Sequence, residues 1–351
     1  MKRLTVICCL VLLATMLSGC KQSGKTGATG TNGQPPVTQK QVTAIPLELS
    51  YVDRQGELVL LSLNQALAIT NRKVLSGRDN LQSGLGYYWS PDGTEVSYAV
   101  QLPNELREVK FVGIEKDGTA EGVRATLKEE KEWDALCSAS WSPDGSLLAA
   151  DYGTSSEREL KLLDAATLKQ VAALNCTMNF TWSPDGSLLA LGVVEPMNPP
   201  LPVESGGSVT TVIYSVKDGQ TLVVKKGTAS DLFWPERWLG PDQLLVRDTL
   251  YRGPDTDKRL LFQIAGSQIR QLAFDADSDQ VTLVEKKVTD RAKTEFQADY
   301  VAPFAWSPDQ KWLAFAVFKQ YVDSIYVTPA GKYNPVLIDQ GWTPEWRPPV
   351  R

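Results

Sequence analysis

The sequence predicts an all-β chain folded as a β-propeller of four-stranded blades. Three observations predict it. A Trp-Ser-Pro-Asp-Gly pentad recurs from Trp89, Trp141 and Trp182, and Trp306-Ser307-Pro308-Asp309-Gln310 is a fourth copy. Each copy is followed by an apolar run, such as residues 147–150, 188–191 or 312–315, and then by a second strand-like run such as 212–216 or 324–327. No segment offers a sustained 3.6-residue apolar period that would mark a helix. A lone sheet of this kind cannot bury both faces, whereas radial stacking buries them.

The pentad itself is turn chemistry. Pro91, Pro143, Pro184 and Pro308 preset φ for a tight turn. Asp92, Asp144, Asp185 and Asp309 can bond the backbone two residues on. Gly93, Gly145 and Gly186 supply the positive φ that closes a hairpin. One unit reads as a meander A-B-C-D, with the pentad joining A to B. The recurring Asp residues are therefore read as turn-makers rather than as a ring of ligands.

Weaker copies begin at Trp238 and Phe274 and end at Trp346, so successive aromatic positions lie 32 to 56 residues apart. The last copy has an A strand and no room for more. The first folded segment reads as B (47–52), C (58–62) and D (67–75) without an A. The two ends then share one blade and lock the ring. Counting this way favours seven blades. Six follow if residues 238–300 hold one blade rather than two thin ones.

The pentads resemble the WD40-like repeats of TolB propellers, which also occur in the propeller domains of prolyl-oligopeptidase-type enzymes. The resemblance covers about residues 47 to 351 and implies a fold far more than a function. TolB proteins are described as six-bladed, periplasmic and equipped with an extra N-terminal domain, for which this chain has no room. The peptidases need a nucleophile elbow and a histidine, and neither is present.

Composition narrows the chemistry. The 351 residues are 42% hydrophobic and 22% charged, with a formal net charge of −5. An acidic balance argues against a nucleic-acid partner and against broad docking on anionic lipid. Histidine is absent, which excludes Ser-His-Asp and Cys-His arrangements and a His-ligated zinc. The expectation is a protein that is not an enzyme and needs no cofactor or metal. Asp275, Asp277 and Asp279 alternate like the start of a calcium loop, but Gln280 stands where the loop needs glycine, and the segment reads as a hairpin turn.

The N-terminus carries an export pattern. Lys2 and Arg3 precede an apolar run over residues 4–17, too short for a comfortable membrane span. Leu17-Ser18-Gly19-Cys20 resembles a lipobox, which implies cleavage before Cys20 and lipid attachment to its thiol. The expected organisation is a signal peptide over 1–19, a tether over 20–45 and a propeller over 46–351. The Gly-, Ser-, Thr-, Gln- and Pro-rich tether cannot bury a core, and about 25 such residues span roughly 25–30 Å. Residues 19–26 match a P-loop pattern but lack the flanking strand and helix, so nucleotide binding is set aside.

Cys137 and Cys176 lie before Trp141 and Trp182. Adjacent inner strands are too far apart for an easy disulfide, so two buried thiols are expected. Trp133, Trp234 and Trp342 fall outside the pentad slot, on or near D-to-A connections. Long B–C insertions mark one end of the ring as the binding face. Its candidate residues are Asn104, Arg107, Glu195, Met197, Pro199, Pro200 and Arg252. The expected function is a monomeric, lipid-anchored scaffold outside the cytoplasm, on the cell membrane or in the envelope, that binds a protein or peptide. Two alternatives stay open: a propeller that binds or processes cell-wall glycan through carboxylates, and an accessory structural lipoprotein of an envelope complex.

Overall fold

The computed structural model describes residues 47–77, 79, 81, 86–102, 106–129, 136–153, 158–175, 179–195, 208–228, 231–250, 258–275 and 279–350. Strands β1 (Leu47–Asp53), β2 (Leu58–Leu63) and β3 (Ile69–Val74) pair antiparallel in order. The next meander is β4 (Tyr87–Trp89), β5 (Glu95–Gln101), β6 (Arg107–Ile114) and β7 (Ala120–Lys128). The third is β8 (Leu136–Trp141), β9 (Leu147–Gly153), β10 (Arg158–Asp164) and β11 (Gln170–Asn175). The fourth is β12 (Phe180–Trp182), β13 (Leu188–Glu195), β14 (Ser208–Ser215) and β15 (Thr221–Lys225). The fifth is β16 (Asp231–Gly240), β17 (Gln243–Leu250), β18 (Lys258–Ala265) and β19 (Gln268–Leu272). Helix α1 (Gln280–Phe296) precedes the last group, β20 (Tyr300–Trp306), β21 (Trp312–Lys319), β22 (Val322–Pro329) and β23 (Val336–Trp346).

Strand β23 serves two meanders. Its residues up to Gln340 pair with β22, and Gly341 to Trp346 pair with β1. The first meander therefore takes its A strand from the C-terminal end of the chain. Gly341 sits at the handover, where a Cβ would stand 2.3 Å from the Val52 carbonyl oxygen. Only glycine lets the backbones approach this closely.

Apolar clusters join consecutive meanders. Tyr51 and Leu61 of the first pack with Ile325 and Val327 of the sixth, and Leu58 and Leu60 pack with Val96 and Tyr98 of the second. Phe111 meets Trp141 edge-on, with ring centroids 5.6 Å apart, between the second and third. Leu162 with Leu191, and Ile213 with Val246, continue the series to the fifth. The sixth meander breaks it. Leu313, Phe315 and Val317 pack against Val288 and Ala292 of α1, with no residue of the fifth meander in that cluster.

Three pentad indoles follow the same pattern, while Trp182 Nε1 has no partner among the described residues. Trp238 Nε1 donates to Thr181 O at 3.1 Å, and Trp346 Nε1 to Ala305 O at 3.0 Å. Each acceptor is the residue just before the pentad tryptophan of the preceding meander. Trp89 reaches the equivalent carbonyl, that of Glu345, through the Ser50 hydroxyl, at 2.8 and 2.9 Å. Trp306 instead donates to Glu285 Oε1 on α1 at 2.9 Å. The helix intercepts the repeat's own bond.

Two expectations are thus corrected. Residues 280–296 are helical, where a thin seventh blade was expected, and an apolar stripe does exist there. It runs Val284, Val288, Ala292 and Phe296, one residue per turn. Its β-branched content imitates a strand, and packing against the sixth meander overrides that propensity. Trp342 lies one residue past the D-to-A handover inside β23, and Trp234 near the start of β16. Among the described residues no helix is long and apolar enough to cross a membrane.

Candidate functional site

In every meander the A–B and C–D turns lie at one end of the strands, and the B–C and D–A connections at the other. The pentads occupy the first end. Ser90, Ser142, Ser183 and Ser307 each donate a hydroxyl bond to the pentad Asp, at 2.5 to 2.7 Å. Each Asp accepts the backbone N–H two residues on, at 3.0 to 3.1 Å. The same Ser oxygen accepts the N–H five residues on, at 2.9 to 3.0 Å. Burial pushes the Asp92 carboxyl up, but the bonds from Ser90 and Thr94 outweigh it and hold it below its usual value. Gly93, Gly145 and Gly186 have φ of 68°, 75° and 71°, and Gln310 adopts 57° without being glycine. Pro91, Pro143, Pro184 and Pro308 open these turns.

Two open concavities lie at this turn end, on the second and third meanders. One, of about 940 Å3, is lined by Glu95, Glu115, Asp117, Glu121 and Arg124 among others. The other, of about 510 Å3, runs between the Asp92 and Asp144 turns. The Arg124–Glu95 ion pair belongs to both walls.

The opposite end, where the B–C insertions project, carries the richer chemistry. Arg107 opens β6, Arg158 opens β10, Cys137 lies near the start of β8, and Asp151 near the end of β9. Strand geometry brings all four to one rim. Cys137 Sγ receives guanidinium N–H groups from Arg107 at 3.7 Å and from Arg158 at 3.8 Å. Arg158 Nη1 donates to Asp151 Oδ2 at 2.7 Å. The Asp151 side chain is 7% exposed, and its Oδ1, like Arg158 Nε, has no partner. Burial raises the Asp151 carboxyl to about 6 against the pull of Arg158. Burial also lifts the Cys137 thiol above its usual value, with Asp151 adding to it and the two arginines opposing.

This cluster continues along the inner strands. Tyr88, on β4, is held up to about 12 by burial, feels the charges of Glu345 and Asp151, and bonds Ser138. Glu345, on the A portion of β23, is raised by burial to about 8. At neutral pH the thiol, the phenol and Glu345 are therefore protonated donors.

A second feature stands at the same end of the sixth meander. Lys319 pairs with Val322, leaving Gln320-Tyr321 as a two-residue hairpin loop. Both have positive φ, 48° and 67°. That geometry favours Asn-Gly and strains larger residues. Tyr321 is 95% exposed, Tyr300 is 60% exposed, and the Phe318 ring stands edge-on to Tyr321 at 6.4 Å. Gln320 N–H donates to Asp299 Oδ2 at 3.0 Å and braces the turn. The sequence signal was a Gln-Tyr pair where a hairpin wants glycine, visible only once the register is known.

Of the loop-face candidates, Arg107 sits in the thiol cluster. Glu195 ends β13, paired with Ser208. Asn104, Met197, Pro199, Pro200 and Arg252 lie outside the described residues, as do Cys20, Cys176, Trp133 and Asp277. Asp279 is the N-cap of α1 and pairs with Arg237 and Thr282. Among the described residues no three Cys, Asp or Glu side chains gather as a metal site.

No protein-family model matches the chain. No curated protein matches it. Among solved structures it is similar to the tricorn protease, with a TM-score of 0.53 and 11% identity over 85% of this chain and 34% of that one. It is also similar to TolB from Acinetobacter baumannii, with a TM-score of 0.47 and 13% identity over 86% of this chain and 66% of that one. Oligogalacturonate lyase in complex with manganese gives a TM-score of 0.38 and 14% identity, over 85% and 74% of the two chains. This chain thus spans just under two thirds of that TolB and about a third of the protease. The likeness to the tricorn protease shows the fold. The expectation that the chain is not an enzyme is corrected as well, since a structure of this fold similarity is a protease. Lack of histidine removes one base and leaves carboxylates, thiols and phenols, which this scaffold carries.

Proposed function

We propose that this chain is an extracytoplasmic lipoprotein whose six meanders form a closed six-bladed propeller. The ring binds a protein partner through its B–C and D–A end. The pairing of β23 with β1 supports closure, because it builds the first blade from both ends of the chain. The basic start, apolar run and Cys20 support the anchor.

The observation that carries the binding reading is the Gln320-Tyr321 hairpin. A tyrosine 95% exposed on a strained turn costs stability and gains only an edge contact with Phe318 inside the fold. Exposed tyrosines of this kind anchor protein interfaces, since they bury large area at little entropic cost. A photo-crosslinking side chain placed at position 321 tests it in the native cell. Capture of one defined protein is expected, and capture of glycan alone would overturn the reading. The Cys20→Ala chain should leave the membrane fraction, and unchanged fractionation would refute the anchor.

A further inference from the structure

We infer that Arg107 and Arg158, flanking Cys137, form a receptor for a carboxylate carried by an acidic segment of the partner protein. This rests on the partner-binding reading of the same face and gives that partner a chemistry. Arg107 is the starting point. Among the described residues no carboxylate lies within ion-pair distance of it, and its one hydrogen bond goes to the Cys137 sulfur. A guanidinium carries five donors, and sulfur is a weak acceptor, so most of its capacity is unspent.

Arg158 strengthens the case. Its side chain is 16% exposed and held by Asp151, which fixes its direction. Both guanidinium groups reach the same sulfur atom, so the two cations stand close together. The one carboxylate in the cluster, itself drawn toward the neutral form by burial, pairs with Arg158 and leaves Arg107 without a counter-charge. A bidentate carboxylate on Arg107 would relieve the excess with the geometry that arginine recognises best. The unpartnered Asp151 Oδ1 and Arg158 Nε are one buried acceptor and one buried donor beside it.

The wall beyond the rim suits the same ligand. Cys137, Tyr88 and Glu345 present protons rather than charge at neutral pH. The protein as a whole is acidic, with a net charge of −5. Long-range electrostatics thus repel an acidic segment, and its binding must come from a local cationic site.

The test uses the full chain in detergent with two fluorescein-labelled probes, a decaglutamate and a decaglutamine peptide. Expected is binding of the glutamate probe alone, weakened about tenfold or more by Arg107→Gln and by added salt. Arg107→Lys, which keeps the charge and loses the fork, should fall between the two. The glutamate probe should also slow alkylation of Cys137 by N-ethylmaleimide, read by peptide mass mapping. Equal affinity in Arg107→Gln, or alkylation unaffected by saturating probe, overturns the inference. So does binding of an oligogalacturonate in preference to the peptide, which assigns the site to an acidic glycan. Crosslinking at position 321 stays a separate readout. If it captures no protein while the glutamate probe binds through Arg107, the partner reading fails and the carboxylate receptor stands.

Discussion

The sixth meander meets its two neighbours by opposite means. Toward the first it is continuous, since β23 runs from one sheet into the next without a break. The join ends in Arg347, whose side chain is fully buried. Its guanidinium pairs with Glu48 at 2.9 Å and donates to the carbonyls of Gly93, Ile114 and Glu115 at 2.8, 3.3 and 2.9 Å. The group also lies 5.3 Å from the Trp89 ring centre. Toward the fifth meander there is no shared strand. Helix α1 fills the seam, apolar against the sixth meander and ionic against the fifth through Arg237 and Asp279. One seam is covalent and saturated with hydrogen bonds. The other is filled by an insertion that borrows the repeat's indole bond. A repeat architecture tolerates such an insertion where its neighbour contacts are pairwise and not shared.

Four variants would break or sharpen this contrast. The largest effect is expected from Arg347→Ala, which takes this donor from the Glu48 carboxylate and the Gly93 and Ile114 carbonyls, while Glu115 O keeps the Gly118 N–H. Urea unfolding should show a loss of about 3–5 kcal/mol. Val288→Ala should loosen α1 from the sixth meander and cost about 2 kcal/mol in the same assay. Arg237→Ala should cost about 1 kcal/mol, and the loss should shrink with added salt. The smallest effect belongs to Glu285→Gln and shows in its pH dependence. Burial raises the Glu285 carboxyl, opposed by the Trp306 bond and Arg237. Its stabilising contribution is therefore present below the unfolded-state value and is lost as pH rises through the folded one. The Gln variant should flatten the decline in stability above pH of about 4.5. An unchanged slope would mean that α1 does not hold this carboxyl away from water.

The turns were legible in the sequence because their chemistry is local. Ser90, Pro91, Asp92 and Gly93 close their hairpin with atoms of residues 90 to 95, so the pattern can be read without a fold. The meander ends and the pairing of the two termini were legible for a related reason, since a repeat truncated at one end must be completed from the other. Helix α1 was not. Val284, Val288 and Thr289 favour strands locally, and only the face of Phe315 and Val317 made the four-residue spacing worthwhile. Two members of the Cys137 cluster, Arg107 and the thiol itself, were legible singly but not as neighbours, since the members arrive from four strands through register. Tyr321 was missed because a hairpin tyrosine is ordinary until its exposure and backbone geometry are known.

The pairing of Ser50 with Glu345 joins residues 295 positions apart in the chain. Every other meander is finished by neighbours close in sequence. The first is the exception. A chain delivered N-terminus first exposes β1 as an open sheet edge, with residues such as Leu49 and Tyr51 uncovered, until its last segment arrives. Such an edge invites strand pairing with other molecules. The slowest loop closure thus coincides with the greatest hazard. The period of risk runs from the first strand to the last.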